Sequence, residues 1–236
     1  MVVTHSQVDA LNRFLGTTVG REKACRFVQY FSRFYVFYLL RSGATKETIQ
    51  RWSDLKSHIS NGRKFFRLLK PIEFAQTGVK SLTIQDEVLR STAVIKQAGM
   101  FFYYCSEALV LANAIKFYKF EQIKKITEFG WKCWFVALAA SILSGLYKLK
   151  RAAVHEKMLK KGRQIEKDSV ILKEDEKKLV KEKHATLYQL LQDSVDILIP
   201  IGSLGWIPLD EGFLGLAGMT TSLLAVNTQW KKVNPN

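Results

Sequence analysis

The chain has 236 residues, and 36 Lys and Arg against 21 Asp and Glu give it a formal net charge of +15. Such a charge fits a protein that binds nucleic acid or an anionic membrane, or a membrane protein with basic flanks. Three isolated cysteines form no CxxC pair, which argues against a secreted disulfide framework and favours buried thiols in a reducing compartment. The first residues contain no basic segment followed by an apolar core, so we expect no signal peptide and predict insertion into an intracellular membrane.

Residues 1–96 have apolar side chains at helical spacing, which predicts a region of amphipathic helices. Within it, residues 52–70 separate into two faces when they are placed on a helix. The apolar face carries Trp52, Leu55, Ile59, Phe65, Phe66 and Leu69, and the basic face carries Lys56, Arg63, Lys64, Arg67 and Lys70. Pro71 then ends or kinks the helix.

A helix with aromatic residues on one face and cations on the other is typical of a helix that lies in a membrane interface. Each cation near an anionic leaflet contributes about 1 kcal/mol, and each large apolar side chain about 1.5–3 kcal/mol when fully buried. We therefore predict that these eleven residues bind an anionic phospholipid membrane. The alternative is a core helix whose cations are merely solvated.

The rest of the chain adds apolar helices and one highly charged region. Residues 97–149 include a candidate span at 131–148, and an apolar segment at 98–120 is interrupted by Glu107 and Lys116. We predict a charged linker or helix at 150–192, with the least order between 148 and 183, because charges of both signs are mixed there. Residues 193–236 contain a re-entrant or surface segment and a second candidate span at 212–230. The predicted fold is an all-α membrane protein with about two transmembrane helices.

Two arrangements in the membrane remain open. With spans at 131–148 and 212–230 only, both termini lie in the cytosol and the basic 148–183 region lies in the lumen. A third span at 98–120 returns that region to the cytosol. We prefer two spans, because Glu107 and Lys116 weaken the earlier segment.

Both candidate spans carry small residues at four-residue intervals. In lipid, helices associate by close approach over small residues, so the stripes predict contact between the two spans or with another copy of the chain. The alternative is that small residues are simply common in such helices. The predicted self-association residues are Ala137, Ser141, Gly145, Ala217, Thr221 and Ala225.

No enzyme, metal or cofactor signature is present in the sequence. The four histidines are scattered, and GxSxG, P-loop and GxGxxG motifs do not occur in a suitable context. Glu107, a carboxylate in an apolar segment, is a functional candidate. We expect no nucleic-acid binding, because the aromatic residues lie on the faces opposite the cations rather than among them.

Four segments together resemble the peroxin 11 family of peroxisomal membrane proteins, and the resemblance is closest to its fungal members. The segments are GREKACRFVQYFSRF at 20–34, GRKFFRLLKPIEFAQ at 62–76, WKCW at 131–134 and SLLAVNTQW at 222–230. The resemblance extends to Trp230 and is interrupted in the charged region. It implies a protein of the peroxisomal membrane whose amphipathic helix inserts into the cytosolic leaflet and elongates the membrane before dynamin-related fission.

The same resemblance implies self-association, contact with the dynamin-related fission machinery, and a pore for small metabolites, without assigning these to residues. It places the membrane-inserting positions at the eleven residues of 52–70 named above. The leading hypothesis is membrane remodelling that promotes peroxisome proliferation and division. The alternatives are a pore-forming channel, with Glu107 lining the path, and an adaptor that recruits partners through 148–183.

Overall fold

The structure is a computed structural model that describes residues 4–165 and 170–235. These residues form nine α-helices and no strand, which confirms the all-α prediction. The helices are α1 (His5–Leu15), α2 (Thr18–Arg41), α3 (Lys46–Phe65), α4 (Lys70–Ser81), α5 (Glu87–Ala114), α6 (Ile123–Ile165), α7 (Val170–Asp196), α8 (Leu198–Ser203) and α9 (Glu211–Val233).

Five helices begin with the same capping interaction. At each start, a Thr or Asp side chain accepts a hydrogen bond from the backbone N–H three residues later, which satisfies one free donor of the first turn. Each such cap contributes about 1 kcal/mol. The capping residues are Thr4, Thr17, Thr45, Asp86 and Asp210.

The helices pack in an order that brings distant parts of the chain together. α2 lies between α3 and α9, and α5 lies between α4 and α6. α7 packs against both α6 and α9, so the two groups meet around one interior. Buried residues at the centre include the aromatic rings of Tyr30, Tyr103 and Trp134, with Leu138 and Ile199 beside them.

α9 approaches α2 closely through three glycines. Gly212, Gly215 and Gly218 lie against the side chains or backbone of Phe37, Phe34 and Tyr30, respectively. A Cβ atom on the middle glycine would lie 2.7 Å from the backbone nitrogen of Phe34. The small residues of 212–230 therefore serve packing within the chain.

One of the two predicted spans is long and apolar enough to cross a membrane. In the part of the chain that the structure describes, this holds for α6 alone, over Ile123–Gly162. The predicted span at 131–148 lies inside this helix. α9, which contains the predicted span at 212–230, does not reach the same apolarity, because Asn227, Gln229 and several hydroxyl side chains lower its hydropathy.

The described residues of the charged region are helical, which is one of the two alternatives that the sequence leaves open. α6 continues to Ile165 and α7 begins at Val170, so the described part of 150–192 is helical rather than a linker. Glu156 accepts a hydrogen bond from Lys183 of α7, at 2.6 Å, and forms an ion pair with Lys160, at 2.9 Å. Residues 166–169 lie outside the described residues. The predicted re-entrant segment contains the short helix α8 and a turn at Gly205, whose φ is +70°.

The glycine contact between α2 and α9 can be tested by replacing glycine with alanine at one packed position and at one open position. Gly215→Ala should lower the free energy of unfolding by about 1–3 kcal/mol, because the added methyl group meets the backbone of Phe34. Gly62→Ala, in a helix interior with open space around it, should raise stability by up to about 1 kcal/mol. Thermal unfolding of the detergent-solubilised protein measures both, and equal effects would contradict the close approach.

Candidate functional site

The predicted helix at 52–70 is two helices in the structure. α3 ends at Phe65, residues 66–69 form a turn, and α4 begins at Lys70 with Pro71 in its first turn. Proline lacks the backbone N–H, and its ring clashes with the carbonyl four residues earlier, so a helix cannot continue undisturbed through Arg67. The prediction of one continuous helix is corrected by this break.

The turn between α3 and α4 exposes a group of large apolar side chains, which we call the apolar ridge. Their exposed fractions range from 41% to 73%, and Leu69 is the most exposed. Lys64 and Lys70 flank them and are half-buried. The residues of the apolar ridge are Phe65, Phe66, Leu68, Leu69 and Ile72.

The first half of the predicted segment is partly packed against α2. The ring of Trp52 meets Tyr35 edge-on, with the centroids 4.6 Å apart, and also contacts Phe31 at 5.9 Å. Ile59 is half-buried and Leu55 is exposed. Aromatic packing therefore holds the N-terminal part of α3 on the bundle and leaves the apolar ridge free.

Arg63, predicted on the lipid-facing basic side, points into the bundle. Its guanidinium donates to the same carboxylate oxygen of Glu22 through Nε, at 2.9 Å, and through Nη2, at 2.7 Å. Nη1 donates to Gln29 at 2.5 Å. Both Arg63 and Glu22 are buried, so this pair joins α3 to α2 in the interior.

Arg67 also turns inward, at the turn that follows α3. Its Nη2 atom lies 2.9 Å from the carboxylate of Glu107 on α5, and its Nε atom lies 3.8 Å from Glu22. The guanidinium also lies over the ring of Tyr104, 5.6 Å from the centroid. Glu107, the carboxylate that stood out in the apolar segment, therefore has a structural partner.

The carboxylate of Glu22 is surrounded by cations. Burial by itself raises the pKa of this carboxyl, but the positive charges of Lys23, Arg63 and Arg67 outweigh burial and hold its pKa far below the usual range. Glu22 therefore stays ionised and neutralises part of the charge that α2 and α3 bring into the bundle.

Two further polar contacts tie α7 into the same interior. Arg26 of α2 lies 2.5 Å from Asp196 and donates to Thr221 of α9 at 3.1 Å. On the other side, Lys96 donates to Ser141 of α6 at 2.8 Å, and Ser141 donates to Asp193 at 2.6 Å. Charged groups from helices α2, α3, α5 and α7 thus meet inside the protein.

These groups line a cavity of about 680 Å³ in the centre of the bundle. Its wall contains the ion pairs described above, the aromatic residues Tyr103 and Trp134, and the half-buried Lys56 of α3. The cavity wall is therefore rich in charged groups beside the apolar core, while many large apolar side chains face outward on several helices. Exposed apolar surface of this extent is expected where a protein contacts lipid.

The residues predicted for self-association are in contact within one copy of the chain. Ala137 lies against Gly99 of α5, and Gly145 lies against Leu190 of α7. Ser141 is hydrogen-bonded as described above, and Ala217, Thr221 and Ala225 are buried. Within residues 4–165 and 170–235, α6 and α9 do not pack against each other, so the expected contact between the two spans is not formed.

Sequence reasoning missed Glu22 and Asp196. A signal for the first exists, because Glu22 is the sole acid in residues 18–41 and stands among aromatic residues and cations. Asp196 offers no comparable signal, since it lies near other acids and its partner Arg26 is 170 residues away.

The buried pair of Glu22 and Arg63 can be tested by a double-mutant cycle. Glu22→Gln should lower the free energy of unfolding by about 3–5 kcal/mol, because it leaves buried cations without their carboxylate. Adding Arg63→Met should recover part of the loss, so the two changes should differ from additivity by more than about 1 kcal/mol. Chemical denaturation in detergent measures the cycle.

The control is the exposed pair of Glu47 and Arg51 on the outer side of α3. Both side chains are 75% exposed, and the matching cycle of Glu47→Gln and Arg51→Met should show a coupling of only a few tenths of a kcal/mol. Additive effects at Glu22 and Arg63 would show that their pairing does not hold α3 to α2.

Comparison with known proteins extends over nearly the whole chain. A family model described as peroxisomal biogenesis factor 11 (PEX11) matches residues 8–230. The chain is 29% identical to the peroxisomal biogenesis factor 11 of Schizosaccharomyces pombe, with 92% of each chain covered. It is 27% identical to the peroxisomal membrane protein PMP27 of Saccharomyces cerevisiae, with 98% of this chain and 97% of the relative covered.

A more distant relative has the same extent. Identity to the human peroxisomal membrane protein 11A is 25%, with 94% of this chain and 96% of the relative covered. None of the solved structures matches the chain significantly. A family match over this length confirms the resemblance carried by the four sequence segments. The chain belongs to the peroxisomal biogenesis factor 11 family and is a protein of the peroxisomal membrane.

Proposed function

We propose that this protein remodels and elongates the peroxisomal membrane by inserting the apolar ridge into one leaflet. The observation that carries this proposal is the exposure of Phe65, Phe66 and Leu69 at a turn beside half-buried lysines. Apolar side chains flanked by cations enter the boundary between headgroups and acyl chains to a depth of about 5–10 Å. Such insertion expands one monolayer relative to the other and favours curvature.

The five side chains of the apolar ridge supply enough free energy for this step. Each contributes about 1.5–3 kcal/mol when fully buried in an apolar medium, and roughly half of that at an interface. Because only 41–73% of each side chain is exposed before insertion, together they contribute on the order of 2–4 kcal/mol, which favours the inserted state by about thirtyfold to a thousandfold.

Arg63 and Arg67 have a different part in this mechanism from the one expected of them. Both guanidiniums are engaged with Glu22 and Glu107 inside the bundle. These ion pairs fix the turn from within, so that its apolar side chains point outward. Contact with lipid phosphates then falls to Lys70, which lies beside the apolar ridge and outside the cavity wall.

Two partners belong to the proposal through family resemblance. Self-association would concentrate several apolar ridges on one membrane area, and the dynamin-related fission machinery would act on the elongated membrane. Because the small-residue stripes are used within the chain, we place the contact between copies on the outward apolar surface instead. Lipid competes for the same surface.

The proposal predicts a specific loss on adding charge to the apolar ridge. The variant Phe66→Asp/Leu69→Asp should still integrate into anionic phospholipid vesicles. Its apolar ridge should not enter the leaflet, because two carboxylates cannot enter the acyl region, and tubules should therefore not form. Negative-stain electron microscopy of vesicles with the full-length protein measures tubules, and flotation measures insertion.

The matched control places the same two charges elsewhere on the exterior. Val154 and Met158 lie on the charged half of α6 and are 49% and 64% exposed. The variant Val154→Asp/Met158→Asp should form tubules as the unmodified protein does. Tubules from the Phe66→Asp/Leu69→Asp variant would overturn the proposal.

A second candidate function, conduction of small solutes, is favoured by the charged cavity in the bundle centre. Here the pair of Arg67 and Glu107 would face the solute. Glu107→Gln removes one negative charge and should at least double the flux of a small anion into liposomes, with Glu47→Gln as the exposed control. Flux no greater than that of empty liposomes would exclude conduction and leave remodelling as the function.

A further inference from the structure

We propose that the central cavity is a binding site for a phosphate-bearing anion, with Lys56 and Lys64 of α3 as its recognition residues. This inference goes beyond membrane remodelling and does not depend on it. It rests on the charge balance of the cavity wall, on the position of its cations that lack a carboxylate partner, and on the volume of the cavity.

The wall of the cavity carries more positive than negative side chains. Eight Lys and Arg residues line it, against five Asp and Glu, which leaves three positive charges without compensation. Cations held together in a partly buried space repel one another, so an arrangement of this kind favours an anion between them.

Each acid of the wall already has a cation. Glu107 pairs with Arg67, Asp196 with Arg26, and Glu211 with Arg33. Asp193 is joined to Lys96 through the hydroxyl of Ser141. Glu22 serves both Arg63 and Lys23.

The uncompensated charge therefore lies mainly on α3. Among the described residues, neither Lys56 nor Lys64 has a carboxylate oxygen within 4.0 Å, and the Lys64 amine donates to the side-chain oxygen of Asn61 at 3.4 Å. Both lysines line the cavity and are half-buried, so a ligand can reach them from outside. Burial lowers the pKa of Lys64; the negative charge of Glu107 opposes this effect, and the positive charges of Arg67 and Arg63 add to it.

The spacing of the two lysines sets the kind of anion. They are eight residues apart on one helix, which separates them by about 12 Å along its axis. Ser60 and Asn61 lie between them on the cavity wall and offer neutral hydrogen-bond donors. A ligand with two or more phosphates matches this separation better than a single phosphate does.

The size of the cavity fits a small molecule of this class. Its volume of about 680 Å³ lies within the range of about 300–1,000 Å³ that is usual for small-molecule sites. Phosphates of this kind belong either to a soluble phosphate ester or to a phosphorylated lipid headgroup. The chemistry of recognition is the same, so the experiment separates the two sources.

The test uses the full-length protein in nanodiscs of phosphatidylcholine, at constant ionic strength, with thermal unfolding followed by tryptophan fluorescence. Pyrophosphate, ATP and inorganic phosphate are titrated as soluble probes. In a separate arm, a tenth of the lipid is replaced by phosphatidylinositol bisphosphate and no soluble anion is added. We expect a saturable rise of the unfolding midpoint with pyrophosphate or ATP, or a rise in the lipid arm, and a much weaker effect of inorganic phosphate.

Substitutions test whether the rise of the unfolding midpoint comes from binding in the cavity. Lys56→Gln/Lys64→Gln should weaken the apparent affinity at least tenfold, while its midpoint without ligand should equal or exceed that of the unmodified protein, because repulsion is relieved. Lys64→Arg, which keeps the charge, should retain binding. Lys46→Gln/Lys80→Gln removes two exposed cations outside the cavity and should leave binding unchanged.

Two results would overturn the site. One is the absence of a saturable shift with every soluble probe and in the lipid arm. The other is an equal loss of the shift in Lys56→Gln/Lys64→Gln and in Lys46→Gln/Lys80→Gln, which would reflect general attraction to a basic protein. Either result leaves the tubule assay untouched, so failure of this inference and failure of membrane remodelling are separate outcomes.

Discussion

The carboxylate of Glu22 on α2 is the contact on which the packing of α3 and of the turn after it depends. It lies in the interior and accepts two hydrogen bonds from Arg63, while Lys23 lies 3.0 Å away and Arg67 3.8 Å away. A buried ion is tolerated only with partners that replace its hydration, and each of these cations needs the carboxylate for the same reason. The carboxylate and the cations stabilise one another in the interior, and this pairing holds the end of α3 in the bundle.

Turning the cations inward turns the apolar side chains outward. Arg63 and Phe65 lie two residues apart on α3, so they point in different directions: Arg63 is buried and Phe65 is exposed. The same division holds on α9, where Gly215 and Gly218 meet α2 while Leu216 and Leu223 face outward. In water such a surface would aggregate, whereas in the peroxisomal membrane it has lipid for a neighbour.

Local features of this chain could be predicted from the sequence more readily than its pairings. The helical class, the apolar stretch within α6 and the interruption at Pro71 follow from composition and from the chemistry of proline. The direction in which the basic face of 52–70 points does not follow, because amphipathicity defines two faces without saying which one is buried. The buried face is set by the ion pairs with Glu22 and Glu107, which lie 41 and 40 residues from their respective arginine partners. The small residues have the same limit. The stripes on α6 and α9 predict close packing, but they do not identify the helix against which each stripe packs.

The length of α6 has a mechanical consequence. The helix has 43 residues and is about 65 Å long, about twice the thickness of a hydrocarbon core. From Lys148 to Ile165 the charged half extends about 27 Å past the apolar half, and α7 supports it through Glu156 and Lys183. A rod of this kind acts as a lever arm. A tilt of about 10° in the apolar half moves the far end by about 5 Å.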